Sequence, residues 1–244
     1  MGEPTGIALE VADGVARLRL DRPEAANALH EPMWFGLRDA VRELDADPAV
    51  RVVVISGNGR HFCSGIDVSM LGGLRETASD DSVGHGADAL RRTILDLQDC
   101  LTAIERCRKP VVAAIHGAAL GGGLEVALGA HYRIAVPGAQ LGLPETKLGV
   151  IPGAGGTQRT PRLVGAEAAI EMATTGMPVP AAKAGAASAV SETAYELGAV
   201  VGAATLGPIF TAFYRANVEV PAGLSAAATG DAAESIGGAT SVAA

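Results

Sequence analysis

Apolar and polar positions alternate over Ile7 to Val11 and again over Val15 to Leu20, around Asp13-Gly14. Period two with that dipeptide between the runs predicts a β-hairpin. An irregular loop, Asp21 to Leu29, leads to a helix predicted around Pro32 to Leu44, which ends near Ala46-Asp47-Pro48 because proline forbids continuation. Val50 to Ser56 is a continuous β-branched run, the pattern of a strand buried on both faces. The turn-rich loop Gly57 to Asp67 then occupies the C-terminal end of that strand, the edge where open α/β sheets bind ligands. Leu74 to Gly86, rich in Asp, Ser and Gly, predicts a mobile surface segment. Leu90, Ile94, Leu97, Leu101 and Ile104 recur at spacings of three and four and predict a helix over Asp88 to Glu105. Lys109-Pro110 breaks it and launches a strand, Val111 to Ile115. Short strands are predicted at Tyr132 to Val136 and Gln140 to Leu143, and a helix at Glu167 to Thr175.

The chain is organised around Ala118 to Gly129. Gly121-Gly122-Gly123 strips the turn of side chains, and Leu124 to Leu128 reads as an apolar helix. The first N–H groups of a helix have no internal partner and lie at the positive end of its dipole. With glycine there, a ligand oxygen can approach them closely. Glu125 lies three residues beyond Gly122 and returns to the same side of the first turn. A carboxylate in an apolar helix is costly to bury unless paired or used. A packing turn with a dipole-complementing Glu and a ligand site both satisfy these residues.

Composition narrows the class. The 244 residues carry 3% aromatics and many small aliphatic side chains, which suits an α/β core. The net charge of −8, without a basic cluster, argues against a nucleic-acid partner. No apolar run reaches the roughly 20 residues of a membrane-spanning helix, and the N-terminus lacks the pattern of a signal peptide. Cys63, Cys100 and Cys107 fit neither a disulfide framework nor a zinc pattern, so a reducing, cytoplasmic location is expected. Residues 184 to 244 are largely Ala, Gly, Ser, Thr and Val, with Arg215 as their only basic side chain. Helices are expected at Tyr195 to Thr205 and Ile209 to Asn217, and weak structure from Pro221 to Ala244, which lacks the apolar surface to offset its ordering entropy. The expected division is a core over 1–192, a helical segment over 193–220 and a tail over 221–244.

A second glycine-rich region, Ile151 to Arg159, follows Leu143-Pro144-Glu145. If the two glycine turns meet, Glu125 and Glu145 form a pair of acids beside exposed backbone donors. That is equipment for moving protons on a substrate whose carbonyl oxygen gains negative charge. A Glu at a helix start after proline also needs no function. His61, His85, His116 and His131 stand at no metal-ligand spacing, Cys63 has no basic neighbour to depress its pKa, and neither a phosphate loop nor a dinucleotide fingerprint occurs.

Asp21-Arg22-Pro23 with Asn27-Ala28-Leu29, Phe62-Cys63-Ser64-Gly65-Ile66-Asp67, Gly121-Gly122-Gly123-Leu124-Glu125, and Leu143-Pro144-Glu145 continuing to Arg159 together resemble the crotonase (enoyl-CoA hydratase/isomerase) superfamily. His131-Tyr132-Arg133-Ile134-Ala135 looks most like the hydratase half of bifunctional hydratase/3-hydroxyacyl-CoA dehydrogenases. The resemblance covers about residues 7–192. It implies an α/β fold, a spiral of ββα repeats followed by a C-terminal helical region, that takes an acyl-CoA thioester and uses no separate cofactor or metal. Ile66 and Gly122 would supply the two N–H groups of an oxyanion hole, and Glu125 and Glu145 the catalytic pair. Arg22, Glu24, Ala26, Ser64, Gly65, Asp67, Val68, Gly121 and Pro144 would line the substrate and its CoA arm. The implied activity is hydration of trans-2-enoyl-CoA in fatty-acid β-oxidation, by a homotrimer or hexamer. A Δ3,Δ2-enoyl-CoA isomerase or an acyl-CoA-binding protein with little activity are the alternatives. The C-terminal quarter departs from the family pattern, being poor in Lys, Arg and large apolar residues.

Overall fold

The computed structural model describes residues 5–70, 72–73 and 83–184. The expectations for the chain beyond 184, and for 74–82, lie outside the described residues. Strands β1 (Ile7–Ala12) and β2 (Val15–Leu20) form the expected hairpin, paired Ile7 to Leu20 through Ala12 to Val15. Asp13 and Gly14 both take positive φ, +53° and +80°, as the tight turn of a twisted hairpin requires. Helix α1 (Glu31–Ala46) has Pro32 in its first turn and follows. Next come β3 (Val52–Gly57), α2 (Val83–Glu105) and β4 (Val111–Ile115). From there the chain runs as strand, strand, helix. It passes through β5 (Ala118–Leu120), α3 (Gly122–Gly129), β6 (Tyr132–Ala135) and β7 (Gln140–Gly142), then α4 (Gly156–Val164), α5 (Ala166–Thr175) and β8 (Val179–Pro180).

The later strand pairs split between two sheets. The first sheet has the order β1-β2-β3-β4-β6, parallel except for the opening hairpin, and the second the order β5-β7-β8. In β4–β5 and β6–β7 alike, the first strand joins the larger sheet and the second the smaller. The core lies between the larger sheet and two helices: Leu18, Leu20, Val53, Ile55, Val111 and Ala113 meet Met33, Leu37 and Val41 of α1 and Leu101 and Ile104 of α2. Each such fully buried Leu, Ile or Met side chain contributes roughly 1.5–3 kcal/mol.

Four differences from the sequence reading have local causes. Strand β3 is not buried on both faces: Val53 and Ile55 are enclosed, whereas Val52 and Val54 are half-buried, because the helices cover one face only. Residues 83–86, expected in a mobile segment, form the first turn of α2, which propagates back from the strongly periodic stretch at Leu90. Strand β5 was not expected, since Ala-Ala-Leu has no strand propensity and pairs because β7 lies beside it. Helix α4 was hidden by its glycines and by Pro161 inside it. His131 ties three elements: its Nδ1 accepts the Val111 N–H at 2.9 Å and its Nε2 meets the Glu105 carbonyl at 3.1 Å.

The loop between β2 and α1 hangs on Asn27, fully buried. Its Oδ1 accepts the Arg22 N–H (2.9 Å), and its Nδ2 donates to the carbonyls of Asn58 (2.8 Å), His61 (2.9 Å) and Phe62 (3.2 Å). Ala26 and Asn27 both sit at positive φ, +50° and +57°, a conformation that Asn tolerates and Ala resists. Replacing Asn27 by Ala leaves several buried backbone groups unpaired, each worth roughly 1–3 kcal/mol. The Asn27→Ala variant is expected to lose about 2–4 kcal/mol in urea unfolding; a loss below about 0.5 kcal/mol, the range of an ordinary surface change, would refute this role.

Candidate active site

Two loops close on the edge of β5. The 62–66 segment zips against it through Cys63 N–H to Ala118 O and Leu120 N–H to Cys63 O, both 3.0 Å. Its other flank pairs with Leu29, whose N–H donates to Gly65 O (2.8 Å) and whose carbonyl accepts from Asp67 N–H (2.9 Å). Ile66 lies between those two bonds, so its own N–H points away from Leu29. Gly65, at φ +115°, lets the chain press on β5: a side chain there would begin 3.0 Å from Leu120 O.

Gly121 opens α3 at φ +50° and ψ −127°, a backbone closed to other residues, with its N–H on Gly142 O (2.9 Å). The first helical bond is Glu125 N–H to Gly121 O (2.9 Å), which leaves Gly122 N–H ahead of the ladder. Among the described residues neither Ile66 N–H nor Gly122 N–H has an acceptor. The two peptides are neighbours, since a methyl group placed on Gly122 would stand 3.6 Å from Ile66 N and 3.0 Å from Trp34 Cζ2.

Both acids arrive at this place by backbone geometry. Glu125, 3% exposed on the first turn of α3, accepts the Gly156 N–H at Oε1 (2.8 Å). Glu145 comes from the 3-10 turn Pro144–Leu148 and is 9% exposed. A side chain on Gly121 would start 3.1 Å from Glu145 Oε1, so the carboxyl group lies against the glycine turn itself. Neither Glu145 oxygen makes a hydrogen bond within the described residues. Burial, offset in part by its own N–H and aided by the neighbouring Glu125, pushes the Glu145 carboxyl up to about 7. Burial also raises Glu125, against the pull of the Gly156 and Ala154 amides and of Arg159. One acid is thus solvated by the protein, and the other is bare.

The remaining sequence candidates divide. Arg22 is committed within the fold, its Nη1 donating to Ala28 O (2.7 Å) and to Asp67 Oδ2 (3.1 Å). Asp67 also accepts from Ser69 N–H and Oγ–H, which with Arg22 hold its carboxyl below the usual range. Ser64 N–H donates to Ala26 O (3.0 Å), which joins the two loops at their rim. Gly65, Ile66, Gly121, Gly122, Glu125 and Glu145 are brought together, with Pro144 opening the turn that carries Glu145. Glu24 and Val68 are exposed, and Val68 is 75% so. Cys63 is enclosed beneath the turn, and burial pushes its thiol up to about 12, so it packs rather than reacts. Sequence reading missed Trp34, the chain's single tryptophan, and the Gly156 amide and Arg159. Trp34 lies inside the predicted helix, but nothing in its spacing points to Gly122, and a backbone donor has no signature in side chains. Among the described residues no group of three or more His, Cys, Asp or Glu side chains could hold a metal ion, and no helix is long and apolar enough to cross a membrane.

Comparison with known proteins gives the family. A family model described as enoyl-CoA hydratase/isomerase matches residues 10–197. The peroxisomal Delta(3,5)-Delta(2,4)-dienoyl-CoA isomerase of Arabidopsis thaliana is 39% identical over 162 residues, 66% of this chain and 58% of that protein. The peroxisomal fatty acid beta-oxidation multifunctional protein AIM1 of the same plant is 40% identical over 173 residues, 70% of this chain but 23% of that protein. The chain thus spans less than two thirds of the length of either relative. The enoyl-CoA hydratase structure from Thermoplasma volcanium superposes with a TM-score of 0.67 at 32% identity, over 76% of this chain and 70% of that one. With the four motifs, the paired strands and the family match in agreement, the chain belongs to the enoyl-CoA hydratase/isomerase family and has the crotonase fold.

Proposed function

We propose that this chain adds water across the double bond of trans-2-enoyl-CoA thioesters. The observation that carries the reading is the pair of buried carboxyl groups, one held by backbone amides and one bare, beside two unpartnered N–H groups. In this scheme Ile66 and Gly122 donate to the thioester oxygen, and α3 adds its dipole to the enolate that forms there. Water lies between Glu125 and Glu145. One acid takes its proton as the water oxygen bonds to Cβ, and the electron pair of the double bond moves toward the thioester. A proton then passes to Cα from the same side, giving the 3-hydroxyacyl thioester by syn addition. The loss of one oxyanion donor typically costs ~3–4 kcal/mol, and each acid or base contributes ~10²–10⁴-fold. Nothing beyond the thioester's own CoA is needed, so no further cofactor enters the proposal.

A place in fatty-acid β-oxidation follows from the name of the multifunctional relative, and acyl-CoA as the substrate from the family. Cytoplasm is the proposed location, on the cysteine usage; peroxisome is the location named for the two plant relatives. A trimer or hexamer is the proposed assembly, which solution mass reads directly. The dienoyl-CoA isomerase relative favours a second reading, in which the same acids move a proton along an enoyl chain. Assaying a 3-enoyl-CoA beside crotonyl-CoA separates the two activities.

The Glu145→Gln variant tests the reading from two sides. It is expected to fold and to lose crotonyl-CoA hydration by at least ~10²-fold, measured as decay of the conjugated thioester absorbance. Wild-type activity in this variant would end the assignment. The same change should stabilise the protein at alkaline pH. Because the folded carboxyl titrates near 7 instead of its ordinary 4.5, the folded state binds the extra proton between those values. Wild-type stability therefore falls as pH rises from about 4.5 to about 7 and levels off above. Thermal unfolding of the variant should match wild type near pH 4.5 and exceed it at pH 8; an advantage confined to acid pH contradicts the argument.

A further inference from the structure

Arg159 plays no part in the scheme above, yet its surroundings are built with care. Its side chain is 13% exposed, on the second turn of α4. Nη2 is paired with Glu105 Oε2 of α2 at 2.6 Å, and Nη1 donates to Ala154 O at 3.3 Å. The guanidinium rests on the turn that precedes α4, where Gly155 sits at φ +119° and a side chain would begin only 2.1 Å from Nη1. The next residue of that turn, Gly156, supplies the N–H that Glu125 accepts. One short segment, 154–156, therefore carries the cation on one carbonyl and the carboxylate on one amide.

Burying a guanidinium is expensive, and Glu105 offsets that cost by pairing with it. Glu105 is about half exposed, so it meets the guanidinium from the solvent side, while Nη1 stays on the turn through Ala154 O. The charged groups that reach Glu125 are Arg159 from α4 and Glu145 from the 3-10 turn, with Glu105 of α2 behind Arg159. We propose that Arg159, anchored by Glu105, is a positioning residue for Glu125: it clamps the 154–156 turn so that Gly156 N–H stays aimed at the carboxylate, and its positive charge lies on the Glu125 side of the acid pair. The inference rests on the acid–base reading of the two glutamates. It adds that the two acids are made unequal by a cation held on the Glu125 side.

The test uses a readout independent of turnover. Infrared difference titration of the full-length protein, with Glu125→Gln identifying its carboxyl band, follows the ionisation of Glu125 in wild type, Arg159→Met, Arg159→Lys and Glu105→Gln. In Arg159→Met, Glu125 is expected to ionise at higher pH by roughly half to one unit or more, since a nearby opposite charge lowers a carboxyl by about one to three. The acidic limb of kcat/KM for crotonyl-CoA should move the same way. Arg159→Lys should restore the ionisation while kcat stays low, because an ammonium cannot span Ala154 and Glu105 as the planar fork does. Glu105→Gln leaves the cation without its neutralising partner and should shift the titration downward. A Glu125 titration unchanged in Arg159→Met overturns the proposal; should that variant fail to fold, an unchanged titration in Glu105→Gln does so. If wild type shows no hydration at all, the infrared titration still decides the role of Arg159, and it is the hydratase reading that falls.

Discussion

Two carboxyl groups buried within reach of one another's charge are the constraint on which the site depends. Each costs free energy to desolvate, and each makes the other harder to ionise. The fold answers the two acids differently. Glu125 receives backbone amides from the turn before α4 and a cation from its second turn, whereas Glu145 receives no hydrogen bond from the described residues. An arrangement selected for stability alone would have given Glu145 a partner or replaced it with an apolar side chain. Keeping it bare is the kind of sacrifice that functional sites make.

The scaffold around the pair is built almost entirely from main chain. Gly65 and Gly121 bring two peptides together where side chains would collide, and the bonds of Leu29 to Gly65 and Asp67 turn Ile66 N–H away from the loop. Asn27 closes the rim from the far side by binding four backbone groups at once. Rigid backbone donors cost no reorganisation when charge develops opposite them, and that is their advantage over side-chain donors on flexible stems. In the proposed reaction the side chain at 66 is free to be Ile because only its N–H faces the thioester.

The legibility of the chain followed the same division. Elements marked by side-chain periodicity, such as the hairpin, α1 and the Leu90–Ile104 face of α2, were readable because burial of one face dictates the pattern. Strand β5 and helix α4 were not, because small residues and glycines form them through their neighbours and carry no periodic signal. Glu125 and Glu145 stood out as acids in apolar or glycine-rich surroundings. The seating of Glu125 under the Gly156 amide and the commitment of Arg22 to Asp67 emerge from contacts 31 and 45 positions apart along the chain. Arg159 was visible as a letter in a motif but not as a neighbour of Glu125, since the link runs through a carbonyl and an amide.

This division bears on which reaction the pair suits. Hydration requires one water to lose a proton while carbon gains one, so two acid–base groups must act in a fixed relation on the same side of the substrate. Moving a proton along an enoyl chain also uses a base and an acid, but one carboxyl group can do both in turn, and a second charged neighbour then only impedes the first. Glu145 is pushed to about 7, first by burial and also by the charge on Glu125, so it gains and loses its proton near neutral pH. In the proposed hydration the two carboxyl groups supply a base and an acid to one water, with no need to wait for solvent between steps. Under the proposed hydration, the burial of Glu125 beside Glu145 serves to hold both carboxyl groups on the same water.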